Sequence, residues 1–159
     1  MSSDTIARYI RLFALCATVL TLTFVFNIAA HEIGHYAIAD HYNLNPSIHV
    51  GRGTNDAQTN FDLVSTLTSP SIYTAYSAES KDLTSHDAII AFFGPFVNLM
   101  IAMSALVMYK KLPKHKKGDY GFLIFLLIFL PSLASGVINL LPFANSDGRM
   151  IFDYLISVV

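Results

Sequence analysis

Two histidines four residues apart enclose a glutamate in His31-Glu32-Ile33-Gly34-His35. On a helix, positions four apart lie one turn up and about 40° round, on one face. Two imidazoles so placed can hold one Zn²⁺ together. Glu32 adjoins them and can act as the base toward a water acidified by the metal, then pass the proton to a leaving amine. Gly34 leaves the backbone open to close approach by another helix. The bland alternative is a buried polar cluster without metal. Against it, the motif follows directly on an uninterrupted apolar run, where ionisable groups are costly and usually functional.

A third ligand is needed. His41 stands six residues after His35, the spacing of the metzincins, but that pattern needs a glycine where this chain has Ile38. A continuing helix carries His41 about 9 Å up the axis from His35 and onto another face, so His41 is rejected. No Asn-Glu-x-x-x-Asp helix supplies an acidic ligand. His49, His86 and His115 are expected in solvated loops, and Glu79 as ordinary surface charge. Asp147 is the better candidate. It follows Asn139-Leu-Leu-Pro142, where proline stops a helix, and precedes Gly148, which permits a sharp turn. A lone Asp-Gly is usually only a turn; the His pair in need of a partner reverses that reading.

The elements that must position these residues follow from composition. The chain has 159 residues, 53% hydrophobic and 13% charged, with a net charge of −1. That is one domain by length, about half as charged as a soluble one, and no partner for nucleic acid. Lipid is the expected solvent. The single cysteine, Cys16, excludes an intramolecular disulfide and a thiolate metal cluster. Three uncharged runs, Leu12–Ala30, Ala88–Tyr109 and Tyr120–Phe143, each approach or exceed the roughly 20 apolar residues needed to cross a bilayer. With flanking helical pattern the spans are set at about 10–39, 88–109 and 120–142. Arg8 and Arg11 before the first run resemble a signal peptide, but the run is too long for one and leads straight into the metal motif, so it is read as a retained span.

The expected fold is therefore an all-α membrane protein, a single domain over 1–159 with a three-helix core. Between the first two spans lies a polar stretch, Asp40–Asp87. Ser47–Gly51 and Asn60–Ser65 read as a short β-hairpin there, and Thr68–Ser85 as loop with one short helix. Arg8/Arg11 and the Lys110–Lys117 cluster are two spans apart and are both expected in the cytoplasm, putting the N-terminus there. Spans one and three then both run outward, so the His pair and Asp147 approach the same membrane face. Polar sequence resumes near Asp40, which sets the histidines about 8–15 Å inside the helix end.

Three motifs in order resemble the site-2 protease family of intramembrane zinc metalloproteases. They are His31-Glu-Ile-Gly-His35, Gly94-Pro95-Phe-Val-Asn98, and Asn139-Leu-Leu-Pro142 followed by Asp147-Gly148. The resemblance implies a three-helix catalytic core, Zn²⁺ held by two His and one Asp, and cleavage of membrane-spanning substrates. Two departures stand out. Ser146 occupies a position where the family usually has leucine, and the charge pattern sets the site toward the outer face where many relatives set it toward the cytoplasm. Asn98 offers an amide for a substrate peptide or a developing oxyanion, or an interhelical hydrogen bond. Asn139 orients the Asp147 turn or packs. Gly94-Pro95 and Pro131 are expected to kink their spans. The hairpin could accept an unwound substrate by strand addition.

The expected function is zinc-dependent endoproteolysis in or near transmembrane segments, in a multi-pass protein of the cell membrane whose partners are a transmembrane substrate and the bilayer. The competing reading is a non-catalytic metal-binding membrane protein, a carrier or an inactive relative. A pure binding site has no use for Glu32. Substrate identity and oligomeric state are not legible.

Overall fold

The computed structural model describes residues 3–50, 72–77, 84–143 and 146–159. These residues form helix α1 (Ser3–His41), strands β1 (Ser47–Val50) and β2 (Ile72–Ala75), and helices α2 (Ser85–Lys111), α3 (Asp119–Leu140) and α4 (Asp147–Ser157). A single 3₁₀ turn, Lys114–Lys116, links α2 to α3. Helices α1, α2 and α3 are each long and apolar enough to cross a membrane. At 11 residues α4 is not.

The side-chain distribution is the reverse of a water-soluble bundle. Phe13, Leu22, Phe26 and Met108 are exposed, at 76%, 64%, 60% and 71%. The interior instead holds Thr23, Asn27, Asn98 and Ser132, with Gly94, Pro95 and Gly136. In water this arrangement forfeits the hydrophobic driving force. In lipid it is what holds helices together, because small residues let backbones approach and interior polar groups pair with one another. Helix α2 is central and packs on α1, α3 and α4. A Cβ on Gly34 would lie 2.7 Å from the Phe93 carbonyl oxygen, and one on Gly136 would lie 2.7 Å from Leu99 and 3.0 Å from the Pro95 carbonyl oxygen. The close approach expected at Gly34 is therefore made, by α2.

The hairpin expected between the first two spans is present, with a different second strand. β1 pairs antiparallel with β2, Ser47 opposite Ala75 and Val50 opposite Ile72. The partner lies inside the stretch expected to be loop, where Ile72-Tyr73-Thr74 supplies the β-branched and aromatic residues that suit a pleated surface. Asn60–Ser65, the strand expected from sequence, lies outside the described residues.

A small apolar plug of Ala39, Leu44 and Ile90, backed by Ile38, Tyr42 and Tyr76, fixes the sheet to the ends of α1 and α2. Asn43 and Asn45 take left-handed backbone (φ 58° and 49°) to turn the chain out of α1. Thr84 and Asp87 form a capping box at the start of α2. The Tyr76 hydroxyl donates to Asp87 Oδ1 at 3.0 Å, tying the strand's end to that cap. Burial first, and then the Asp87 carboxylate, push the Tyr76 phenol above its ordinary range, so it stays a donor. At the far end of the bundle, Asp4, Arg8 and Arg11 of α1 line one cleft with Tyr120 of α3. The two basic groups used to set the topology thus share one end.

Candidate metal centre

The three ionisable groups at the centre come from two elements, α1 and α4. His31 and His35 are one turn apart on α1, both buried, with ring centroids 4.6 Å apart and planes at 88°. They face Gly94 of α2. A Cβ there would overlap the His35 ring and lie 2.8 Å from His31 Nε2. The glycine is thus the space the two rings occupy.

Asp147 arrives from the opposite end of the chain. Helix α3 ends at Leu140, and Leu141 is already extended, as the proline at 142 requires. Ser146 then caps α4. Its hydroxyl accepts from the Arg149 N–H at 3.3 Å and lies 2.6 Å from the Leu141 carbonyl and 2.9 Å from that of Phe143. Asp147 is consequently held as the first residue of α4. Gly148 sits so close on the carbonyls of Leu140 and Leu141 that no side chain fits. The turn back toward the bundle expected of Asp147-Gly148 is made here.

The result is a tight constellation. His31 Nε2 lies 3.0 Å from Asp147 Oδ2, His35 Nε2 lies 3.3 Å from Asp147 Oδ1, and the two Nε2 atoms are 3.1 Å apart. The group could hold a metal ion. Burial works against ionisation of Asp147, but hydrogen bonds and charge from His31 and His35 outweigh it and hold the carboxyl down at about 2.

The rings are oriented from behind. His35 Nδ1 lies 2.7 Å from the Ile90 carbonyl oxygen. A carbonyl only accepts, so Nδ1 carries the proton and Nε2 presents its lone pair to the cluster. Ile90 is next to Ala91, whose carbonyl loses its helical donor to Pro95. His31 Nδ1 faces the Asn98 amide, whose Nδ2 is 3.4 Å away and also donates to Ser135 Oγ at 2.8 Å. Asn98 Oδ1 is buried with no partner. A cation on His31 Nε2 puts the proton on Nδ1. The same amide, turned over, then accepts it through Oδ1. Asn98 suits either state of His31.

Comparison with protein-family models, curated proteins and solved structures found no match.

A cavity of about 360 Å³ opens on it, lined by His31, Glu32, His35, Asn98, Asn139 and Asp147, together with Ile28, Tyr73, Thr74 and Ser135. All six residues singled out from sequence meet at this one cavity. A larger cavity of about 720 Å³ lies among Met100, Met108 and Phe125. Its lining is mostly apolar and includes no His, Asp or Glu. Glu32 is 9% exposed and stands beside the ligand group rather than in it. Thr74 Oγ1 lies 2.9 Å from both Glu32 Oε2 and the Glu32 carbonyl oxygen, so β2 holds the carboxylate from above.

The rejected histidine behaves as expected. His41 is exposed at the end of α1, edge-on to Tyr42. His115 is exposed; His49 is a correction, half-buried on β1, bonded to Ser47 and stacked on Tyr73 rather than in a solvated loop. His86 is a correction. It lies in the first turn of α2, half-buried and stacked on Tyr42 at 4.1 Å, not in a solvated loop. The capping box at Thr84 starts the helix earlier than the apolar run does. Glu79 lies outside the described residues.

Sequence reasoning passed over Thr74, Tyr73 and Ser135. Ser135 sits four residues before Asn139 on α3, a periodicity that marks a shared face. Nothing in the sequence points to Thr74, because its role depends on where β2 docks.

Proposed function

We propose that the protein is a zinc-dependent endopeptidase that cuts peptide bonds in or near transmembrane segments, of the kind its three motifs resemble in the site-2 protease family. The observation that carries the reading is the meeting of Asp147 with His31 and His35 within 3.0–3.3 Å, in the cavity that Glu32 also faces.

Two imidazoles and one carboxylate are a donor set suited to zinc. Ligand atoms about 2.0–2.1 Å from a tetrahedral Zn²⁺ stand about 3.3 Å apart, close to the 3.0–3.3 Å separations of this trio. Three protein ligands are the number found in catalytic rather than structural zinc sites. Zn²⁺ held by His31, His35 and Asp147 would supply Lewis acidity to polarise a carbonyl and acidify water.

The remaining chemistry belongs to the chain. Glu32 takes the proton of the attacking water and delivers it to the leaving amine. Thr74 keeps the Glu32 carboxylate in one rotamer and aimed into the cavity. Asn139 offers an amide group to the substrate backbone and to the developing oxyanion, whereas Asn98, buried behind His31, acts on that ring. The polar cavity walls hold water at a depth where lipid excludes it, and the hairpin can take up an unwound substrate segment by strand addition. Basic residues at the far end put that end in the cytoplasm and the site in the outer half.

A non-catalytic metal-binding role leaves the Thr74–Glu32 contact without purpose. Glu32→Gln separates the two. The variant should keep one equivalent of zinc and lose cleavage of a model transmembrane substrate by a factor of at least about 10³. Wild type that binds zinc and cuts no such substrate would contradict the enzyme reading.

A further inference from the structure

The polar stripe on α1 is longer than the metal motif. Thr23, Asn27, His31 and His35 recur every four residues, and all four are buried. The reaction described above uses only the last two. Asn27 is 3% exposed. Its Nδ2 donates to the Thr23 carbonyl at 2.8 Å, which fixes the amide's orientation and leaves Oδ1 as its free end. That oxygen is buried and has no hydrogen-bond partner. Buried acceptors are rarely left so, and each one calls for an explanation.

The explanation is spatial. A second cavity, of about 340 Å³, is lined by Asn27 with Phe24, Pro131 and Ile138. It shares Ile28, Ser135 and Asn139 with the cavity of the metal centre. The two cavities are therefore neighbours along α1, with these three residues as their common wall. The second is mostly apolar, with Asn27, Ser135 and Asn139 as the polar residues of its lining. What fits it carries a hydrophobic body and an adjacent N–H donor. An unwound transmembrane segment offers both at every large residue.

Resting on the protease reading, we propose that this cavity is a substrate subsite: it takes a large apolar side chain while Asn27 Oδ1 accepts a hydrogen bond from the substrate backbone N–H beside it. Its position gives the register. Asn27 lies one helical turn from His31, about 6 Å along the axis. An extended chain advances about 3.3 Å per residue. The residue bound is thus about two positions from the scissile bond. The subsite makes the enzyme selective for Leu, Ile, Phe or Met there and against Gly, Ser or charged residues.

The test uses the full chain in lipid bilayers, loaded with zinc, and a synthetic transmembrane substrate. Backbone amides near the cut are replaced one at a time by esters, which removes a single N–H. One ester, about two residues from the cut, should lower kcat/KM about tenfold on wild type, mainly through KM, and less than twofold on Asn27→Leu. Zinc content should be equal in the two proteins. An equal ester penalty on both overturns the proposal and leaves Asn27 as the holder of a structural water. If Asn27→Leu does not fold, wild type decides alone: Leu→Gly at that substrate position should raise KM about tenfold, and no positional preference overturns the subsite. A wild type that cuts no substrate at all, zinc-loaded, overturns the protease reading itself and this one with it.

Discussion

Gly94→Ala puts the geometry of the centre to a direct numerical test. In an exposed helix the change from glycine to alanine is favourable by up to about 1 kcal/mol. Here the added carbon would lie 2.8 Å from His31 Nε2 and closer still to the His35 ring, whereas ordinary contact begins at 3.4 Å. His31 Nε2 would have to move by the difference, 0.6 Å, to reach ordinary contact. Metal–ligand distances tolerate only about 0.2 Å. Both rings are fastened behind, by Ile90 and by Asn98, so the shift cannot be absorbed by free rotation. Zinc affinity should fall by about 10²-fold or more while helicity is kept or raised, and overpacking should cost the fold about 1–3 kcal/mol. Purified protein in detergent would be measured for zinc by competition with a chelator and for helix content by circular dichroism. Wild-type affinity in Gly94→Ala would refute the view that this glycine is the space the imidazoles fill.

Further outcomes follow from the contacts around the centre. Asn98→Leu removes the acceptor for His31 Nδ1 and should weaken zinc by about 10–100-fold, measured by the same competition. Thr74→Val frees the Glu32 carboxylate, so kcat on a model substrate should drop several-fold with zinc content unchanged. Ser146→Ala removes the cap that starts α4 and should cost about 1 kcal/mol, seen as roughly fivefold weaker zinc binding because Asp147 is the next residue. Ser146→Thr keeps the cap and should restore most of that affinity.

The sequence made the first-turn chemistry legible because it is local. His31, Glu32 and His35 need only one helix to lie together, and their spacing states it. The spans were legible because lipid imposes a length and a polarity on each. Asp147 was legible through Pro142 and Gly148, which mark a stop and a turn, but its capping by Ser146 was not. Ser146 read only as a departure from the leucine of the resembled motif, whereas its hydroxyl caps the start of α4. β2 was mislaid because Ile72–Ala75 is only four residues long and pairs with β1 across more than twenty intervening positions. Register over such a distance is set by docking on α1 and α2, through Leu44, Tyr76 and Asp87. Thr74 and Asn27 stayed silent for the same reason. Each matters through a neighbour that only the fold supplies.

The central claim is that α1 and α4 together complete one metal centre. X-ray absorption at the zinc edge of the purified, zinc-loaded protein measures it most directly, with Asp147→Asn as comparison. One zinc per chain with only nitrogen and oxygen neighbours at about 2.0–2.1 Å, two of them imidazole, is the predicted result, and Asp147→Asn should lose the ion or change its shell. An identical shell in wild type and Asp147→Asn, or no stoichiometric metal in wild type, would contradict it.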